Sequence, residues 1–375
     1  MTEEGKPLFE PYLMNDLRLK NRVVMAPLTR SRAENADLEP TDLHATYYGQ
    51  RASAGLIISE GIWISSSAVG WHDVPGIFTA EQVRKWRSVT DAVHRYGGRI
   101  FAQLWHTGSL SHPDFFDGQL PLAPSAINPM QVSPTATGRK NTVTPREMTI
   151  EEVRRSVQEF ASAAFNAMHA GFDGVQIQAG FHYLVNQFLN PRTNHRTDEY
   201  GGSLPNRARF LIEIIEAVGA RIDIRRVGVK TGPAMSETGP FVSTDETIPT
   251  FDYVINRLNE YDLSHLLLMG QMADLAHTPA SSLQGDGMFR RYREIFRGTV
   301  IGNVDFDRDR ANRLISADIV DLVAFGRPFI ANPDLLAKLA HDRELREPDL
   351  TTLYGNGARG YVDYPFLNES ASTQI

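Results

Sequence analysis

The side chains that could do chemistry in this 375-residue sequence stand at the downstream ends of short apolar runs. Thr29 follows Val23-Val24-Met25-Ala26-Pro27, Gly61 sits in the run from Gly55 to Ile64, and Gln103 in that from Arg99 to Leu104. Gln178 ends the run from Gly174, Lys230 ends the run from Val227, Gly302-Asn303 follows Thr299 to Ile301, and Gly326-Arg327 follows Ile319 to Phe325. Each alone is an ordinary strand terminus. Together they supply a hydroxyl, two amides, a cation and two glycine-bearing turns, a set that could cradle a flat heteroaromatic ring with a phosphate tail. Glycines after the last two runs leave backbone N–H groups open, and the adjacent arginine can hold a phosphate through charge-assisted hydrogen bonds. A phosphorylated cofactor is the economical reading.

Groups drawn from so many separate runs need a scaffold that gathers their ends. With His265 to Met269 the runs number eight. Amphipathic segments separate most of them. The clearest has Thr149 as N-cap, Glu152 in the capping-box position, Val153, Val157, Phe160, Ala164 and Met168 on one face, and Gly171 as its stop. A second begins at Thr79 with Gln82 in the same relation and stops at Gly97-Gly98, and Pro205 suits the first turn of a third. Short strands alternating with helices predict a parallel sheet, and eight such units predict closure into a (β/α)8 barrel of the α/β class. An Asn/Asp turn between Leu8 to Leu13 and Leu17 to Lys20 predicts a β-hairpin ahead of the first strand. Residues 107–145, rich in Pro, Ser, Thr and Gly with little periodicity, read as a long loop insertion after strand three that covers the pocket rather than joining two domains. The expectation is one domain over 1–375 with a flexible tail over 366–375.

Composition narrows the function. Hydrophobic residues at 42% and charged residues at 22% are those of a globular chain, and 38 basic against 45 acidic side chains give a net charge of −7, which disfavours nucleic acid as a partner. No cysteine is present, so disulfides, thiolate metal sites and a cysteine nucleophile are excluded. No metal site is expected. The N-terminus lacks a basic region followed by an apolar one, and no stretch has the ~18 apolar residues of a membrane span. These features predict a cytoplasmic protein that acts on a small molecule away from membranes, as a monomer or homodimer. Gly355-Asn356-Gly357-Ala358-Arg359-Gly360 spells GxGxxG, but the few residues beyond Gly360 leave no room for a βαβ unit, so it is not a dinucleotide turn.

Five ordered segments resemble a known family. Met25-Ala26-Pro27-Leu28-Thr29-Arg30, Tyr47-Tyr48-Gly49-Gln50-Arg51-Ala52-Ser53, Gln103-Leu104-Trp105-His106-Thr107-Gly108, Arg196-Thr197-Asp198-Glu199-Tyr200-Gly201-Gly202-Ser203 with Asn206-Arg207-Ala208-Arg209, and Ala324-Phe325-Gly326-Arg327 with Asn332-Pro333-Asp334-Leu335 are similar to the Old Yellow Enzyme family of FMN-dependent ene-reductases. The resemblance runs from about Leu8 to Pro365 and itself implies a (β/α)8 barrel. It implies FMN across the barrel mouth, reduced by NADPH or NADH, with Pro27 and Thr29 near the isoalloxazine, Ala26 and Leu28 beside them among the cofactor-binding residues, Gly61 beneath the ring and Gln103 on its pyrimidine edge. Lys230 stands where the family usually has arginine near flavin N1, and Gly302, Asn303, Gly326 and Arg327 match the phosphate end.

The substrate side departs from that pattern. After strand four the family typically has histidine, then three residues on histidine or asparagine, then two residues on tyrosine; here those positions read Gln178, Phe181 and Tyr183. In the family the first two bind the substrate oxygen and the tyrosine protonates the α-carbon. The proton donor is therefore retained while one of the two oxyanion donors is lost, at a cost of roughly 2.7 to 4 kcal/mol of transition-state stabilisation. Gln178 can still donate, and His182 either faces the pocket or packs beneath a loop. Trp71, Trp105 and Tyr354, with Phe181, would wall a pocket for a bulky or hydrophobic substrate. Three functions remain open on the residues: reduction of an activated C=C bond with Tyr183 as acid, desaturation or isomerisation on the same flavin, and a non-catalytic FMN-binding barrel.

Overall fold

Parallel strands covered on both faces read as continuous apolar runs, and the eight runs do so because they wrap into a closed barrel with its own side chains inside and helices outside. The computed structural model describes residues 6–233 and 239–367. The barrel strands are β1 (Val23–Met25), β2 (Leu56–Trp63), β3 (Ile100–Trp105), β4 (Gly174–Gln178), β5 (Val227–Thr231), β6 (His265–Met269), β7 (Val300–Asn303) and β8 (Leu322–Phe325). All pair in parallel with their sequence neighbours, and β8 pairs with β1 to close the ring. The helices between them include α1 (Asp42–Gln50), α2 (Ala80–Arg95) and α3 (Ile150–His169). Next come the short α4 (Leu184–Leu189), then α5 (Leu204–Gly219), α6 (Thr247–Leu258), α7 (Gly287–Ile295) and α8 (Arg308–Ser316). Two short helices, α9 (Arg327–Ala331) and α10 (Leu335–Ala340), follow β8.

Two apolar clusters hold this arrangement. The larger lies between the strands and the helices, where Val153, Val157, Phe160 and Ala164 of α3 meet it as their spacing predicts. The smaller fills the barrel: Val24, Leu56, Ile58, Phe101, Leu267, Ile301 and Leu322 point inward, and Met14, Leu17 and Leu19 of the N-terminal hairpin pack against them. The hairpin is thus a plug. It pairs Tyr12–Met14 with Leu17–Leu19, shorter than the expected Leu8 to Leu13 and Leu17 to Lys20. Pro7 starts a 3₁₀ turn over Pro7–Phe9, and Pro11 offers no N–H, so pairing begins only at Tyr12.

The insertion after β3 is more ordered than its composition suggests. Leu122–Ala123 pairs with Arg146–Glu147, and Val132–Thr135 forms a hairpin with Gly138–Asn141. These strands are too short to leave a periodic signal. The GxGxxG segment lies in turns, with Gly355, Gly357 and Gly360 at positive φ. Its carbonyls are gathered by two buried guanidinium groups: Arg30 donates to Leu353 and Gly360, and Arg32 to Thr352, Gly357 and Arg359. Of the expected tail, Asn368 onward lies outside the described residues, while the Leu367 N–H donates to Asp334.

Helix starts follow the capping chemistry. Thr149 accepts from the Glu152 N–H at 3.2 Å while the Glu152 carboxylate accepts from the Thr149 N–H at 2.9 Å. Arg146 donates twice to that carboxylate, at 2.7 and 2.9 Å, and holds its pKa down at about 2. Replacing Thr149→Ala removes one cap and should cost about 1 kcal/mol. A lower urea midpoint with an unchanged slope is the expected outcome.

Candidate active site

At the C-terminal ends of the strands, residues from five separate strands and the loops after them converge on one cavity. It is lined by Pro27 and Thr29 after β1, Gln103 and Trp105 of β3, Gln178 of β4 with Phe181 and Tyr183 beyond it, Lys230 of β5 and Met269 of β6. Parallel pairing sets Gln103 beside β4 and Gln178 opposite Lys230. Of these residues only Met269 was not expected at the site, because a methionine closing an apolar strand looks like core.

Two polar side chains show what the cavity suits. Lys230 is buried, and among the described residues its ammonium has no hydrogen bond and no ion pair; burial alone lowers its pKa to about 8. A buried cation with no counter-charge of its own calls for an electron-rich partner from outside the chain. Gln103 has one end tied, its Nε2 donating to Gln176 Oε1 at 2.7 Å and its backbone N–H to Ser59 Oγ at 3.0 Å, so the other end of the amide is available to the cavity. Gln178 Oε1 accepts from the Gly180 N–H at 3.2 Å, which turns its NH₂ outward as a donor.

The expected phosphate end lies at the neighbouring strand ends. Gly326, between β8 and α9, stands beside Ala26 and Leu28, and a Cβ there would meet them only at ordinary van der Waals distance. The Arg327 guanidinium is exposed and makes no hydrogen bond or ion pair among the described residues. Gly302 and Asn303 also do structural duty: Phe306 fills the space a Gly302 Cβ would need, and Asn303 Nδ2 donates to the Ala324 carbonyl at 2.9 Å. Gly61 is bare for a different reason, since a Cβ would lie 2.2 Å from the Trp105 ring.

Of the aromatic rings nearby, Trp105, Phe181 and Tyr183 line the cavity, whereas Trp71 and Tyr354 stand outside it. Trp105 stacks on Trp63 at 4.4 Å and meets the edge of Tyr183 at 4.8 Å. Trp71, tied to Ser31 Oγ through its indole N–H, lies 6.5 Å from Trp105 and 5.2 Å from Tyr354. Phe181 is 5.2 Å from Tyr183 and sits at φ +55°, a left-handed conformation that costs a bulky residue about 1–3 kcal/mol. The His182 ring is sandwiched between Phe181 at 4.5 Å and Phe241 at 4.0 Å and does not line the cavity. Burial, and to a lesser degree Tyr354, raises the Tyr183 pKa, so its hydroxyl stays protonated through neutral pH. Among the described residues no cluster of His, Asp and Glu could hold a metal ion, and no helix is long and apolar enough to cross a membrane.

A (β/α)8 barrel whose mouth offers a fixed amide and a cation unpaired among the described residues, with glycine turns and an exposed arginine on the strand ends beside it, suits a phosphorylated ring cofactor such as a flavin. The chain belongs to the NADH:flavin oxidoreductase / NADH oxidase family, whose profile matches residues 7–346, and it is an FMN-dependent NAD(P)H oxidoreductase of the ene-reductase type. It is 38% identical to putative 12-oxophytodienoate reductase 2 of Oryza sativa subsp. japonica over 373 residues, covering 98% of this chain and 96% of the relative. Morphinone reductase in complex with tetrahydroNAD superposes with a TM-score of 0.88 at 40% identity, covering 98% of this chain and 99% of that one. The Old Yellow Enzyme homologue from Zymomonas mobilis gives 0.89 at 37% identity, with 96% and 99% covered.

The lysine has a measurable consequence. Binding an acceptor favours the charged amine, so FMN affinity of the apoprotein should be constant below about pH 8 and fall as pH rises through that value. The loss should approach roughly tenfold per pH unit until the pKa of the bound state is passed. Lys230→Arg should flatten the profile in fluorescence titrations with FMN, because guanidinium remains charged throughout.

Proposed function

We propose that this protein reduces the activated C=C bond of a bulky, hydrophobic small molecule, with Tyr183 as the proton donor. The observation that carries this reading is a protonated Tyr183 on the same cavity as Gln103 and Lys230, while Phe181 stands where a second oxyanion donor would be. FMN, when bound, supplies the hydride for the substrate's β-carbon and regains it from NADPH or NADH. Gln103 and Lys230, with Pro27 and Thr29, hold the ring system, and Gly302, Asn303, Gly326 and Arg327 surround the phosphate end; Ala26 and Leu28 flank Gly326, and Gly61, packed against Trp105, is not assigned a contact with the ring. Gln178 donates its amide N–H to the substrate oxygen. Tyr183 passes its hydroxyl proton to the α-carbon, and the phenolate is reprotonated from solvent.

Binding energy that the missing donor would have supplied comes instead from ring contacts. Trp105 and Phe181 on the cavity, with Trp71 and Tyr354 further out, offer aromatic faces to a large apolar substrate. His182, locked in its stack, keeps Phe181 in place rather than donating to the substrate. In this proposal the segment 107–145 belongs to the same single domain and shields the mouth from the β2 side, where Thr107 Oγ1 donates to the Ala68 carbonyl at 2.9 Å and Ser111 Oγ to the Val69 carbonyl at 2.6 Å.

Anaerobic stopped-flow absorbance separates the two halves of the reaction. Tyr183→Phe should leave reduction of the flavin by NADPH unchanged and slow its reoxidation by the true substrate about a hundredfold. Equal reoxidation rates would remove Tyr183 from its role. The pair Gln178→His with Phe181→Asn should raise reoxidation by a simple cyclic enone about a hundredfold. Asparagine suits φ +55° better than phenylalanine, so the pair should fold as well as the parent by thermal melting.

A further inference from the structure

Beneath the cavity a polar chain runs from Gln103 across the barrel, and the proposed reaction uses none of it beyond Gln103 itself. Gln103 Nε2 donates to Gln176 Oε1 at 2.7 Å, Gln176 Nε2 meets His265 Nε2 at 2.8 Å, and His265 Nδ1 meets Ser264 Oγ at 3.0 Å. All four side chains are buried. The barrel makes room for the imidazole: β5 is bare at Gly228, where a Cβ would lie 2.2 Å from His265 Cε1. Polar groups in a core are costly unless each donor meets an acceptor, so their arrangement can be counted through.

An amide offers an oxygen at one end and an NH₂ at the other. If Gln103 donates to Gln176 Oε1, Gln176 must direct its NH₂ at His265 Nε2, which then carries the lone pair. The ring proton is left on Nδ1 and goes to Ser264 Oγ. The mirror solution protonates Nε2, reverses both amides, and turns the Gln103 NH₂ rather than its oxygen to the cavity. Burial pushes the His265 pKa down to about 3, so the doubly protonated ring, which would fit neither solution, is absent at neutral pH. One proton position on His265 therefore decides which end of Gln103 the cofactor meets.

We propose that His265 is a positioning residue whose Nδ1–H tautomer, through Gln176, locks the Gln103 carbonyl toward the cavity as the acceptor for an imide-type N–H on the cofactor ring. This rests on the reading that Gln103 meets the flavin pyrimidine edge. Packing alone would ask only for a side chain of similar size at position 265; the proposal asks for an acceptor.

The test compares His265→Leu, which fills space without accepting, with His265→Gln, which retains an acceptor, and uses Gln103→Leu as reference. Readouts are FMN affinity of the apoprotein and the midpoint potential and absorption band of the holoprotein. Gln103→Leu and His265→Leu should each weaken FMN binding by about threefold to tenfold, with a shared shift in potential, and His265→Gln should restore affinity to within about twofold of the parent. His265→Leu binding FMN like the parent, with Gln103→Leu weakened, overturns the lock while leaving the FMN site intact. Unchanged affinity in Gln103→Leu overturns both. ¹⁵N NMR of the unsubstituted holoprotein needs no variant: a neutral ring protonated at Nδ1 is expected, and protonation at Nε2 overturns the proposal even where a variant fails to fold.

Discussion

Closure of the parallel ladder governs the rest of the structure. Once β8 pairs with β1, all eight strand ends face one way and no edge is left free. Side chains far apart in sequence, from Pro27 to Met269, are brought to one mouth without any loop having to reach for another. The same closure leaves a narrow interior that the chain's own side chains fill, with the N-terminal hairpin as stopper. At the mouth, groups can meet a ligand while still being held by the rigid part of the fold.

That geometry explains which features could be read from the sequence. All eight apolar runs became strands, since a strand buried on both faces has no polar alternation to obscure it. Helix starts at Thr79 and Thr149, and the place of Pro205 in the first turn of α5, were legible because capping is local chemistry. The hairpin's true length was not, since Pro11 limits pairing that the apolar spacing alone would extend. The small sheets in 107–145 were missed because strands of two to four residues carry no period.

At the site, residue identity was legible and direction was not. Gln103, Gln178 and Lys230 stand on the cavity as strand ends, and Tyr183, which only the family resemblance pointed to, stands on it with them. The fate of His182 depended on a backbone φ at Phe181 that no local preference announces, and the bareness of Gly61 depended on Trp105 from the next strand. Arg30 and Arg32 show the same limit. They follow Thr29 closely, yet their work is to gather the carbonyls of residues 352–360, which places Tyr354 against Trp71. The signals that could have exposed Gln176 and His265 were present: two polar residues in strands otherwise buried and apolar need partners, and the barrel interior brings them to each other and to Gln103.

Changes on the two sides of the cavity differ in kind. Phe181 offers the cavity no hydrogen-bond donor, and it is a strained, ring-bearing residue that the His182 and Phe241 stack holds in place. Strain of about 1–3 kcal/mol persists only where its surroundings over-determine it, and here three stacked rings do so. On the function proposed here, Lys230 would keep a positive charge at the cofactor's N1 edge as a point charge rather than a planar fork, and so would give less directional help there. On that same reading, orientation falls more heavily on Gln103, whose amide is tied at one end to Gln176. An amide free to rotate would have to be fixed in one sense on meeting an imide edge, since the other sense sets donor against donor. A buried chain that holds it in one sense removes that ambiguity without placing a further charge beside the flavin.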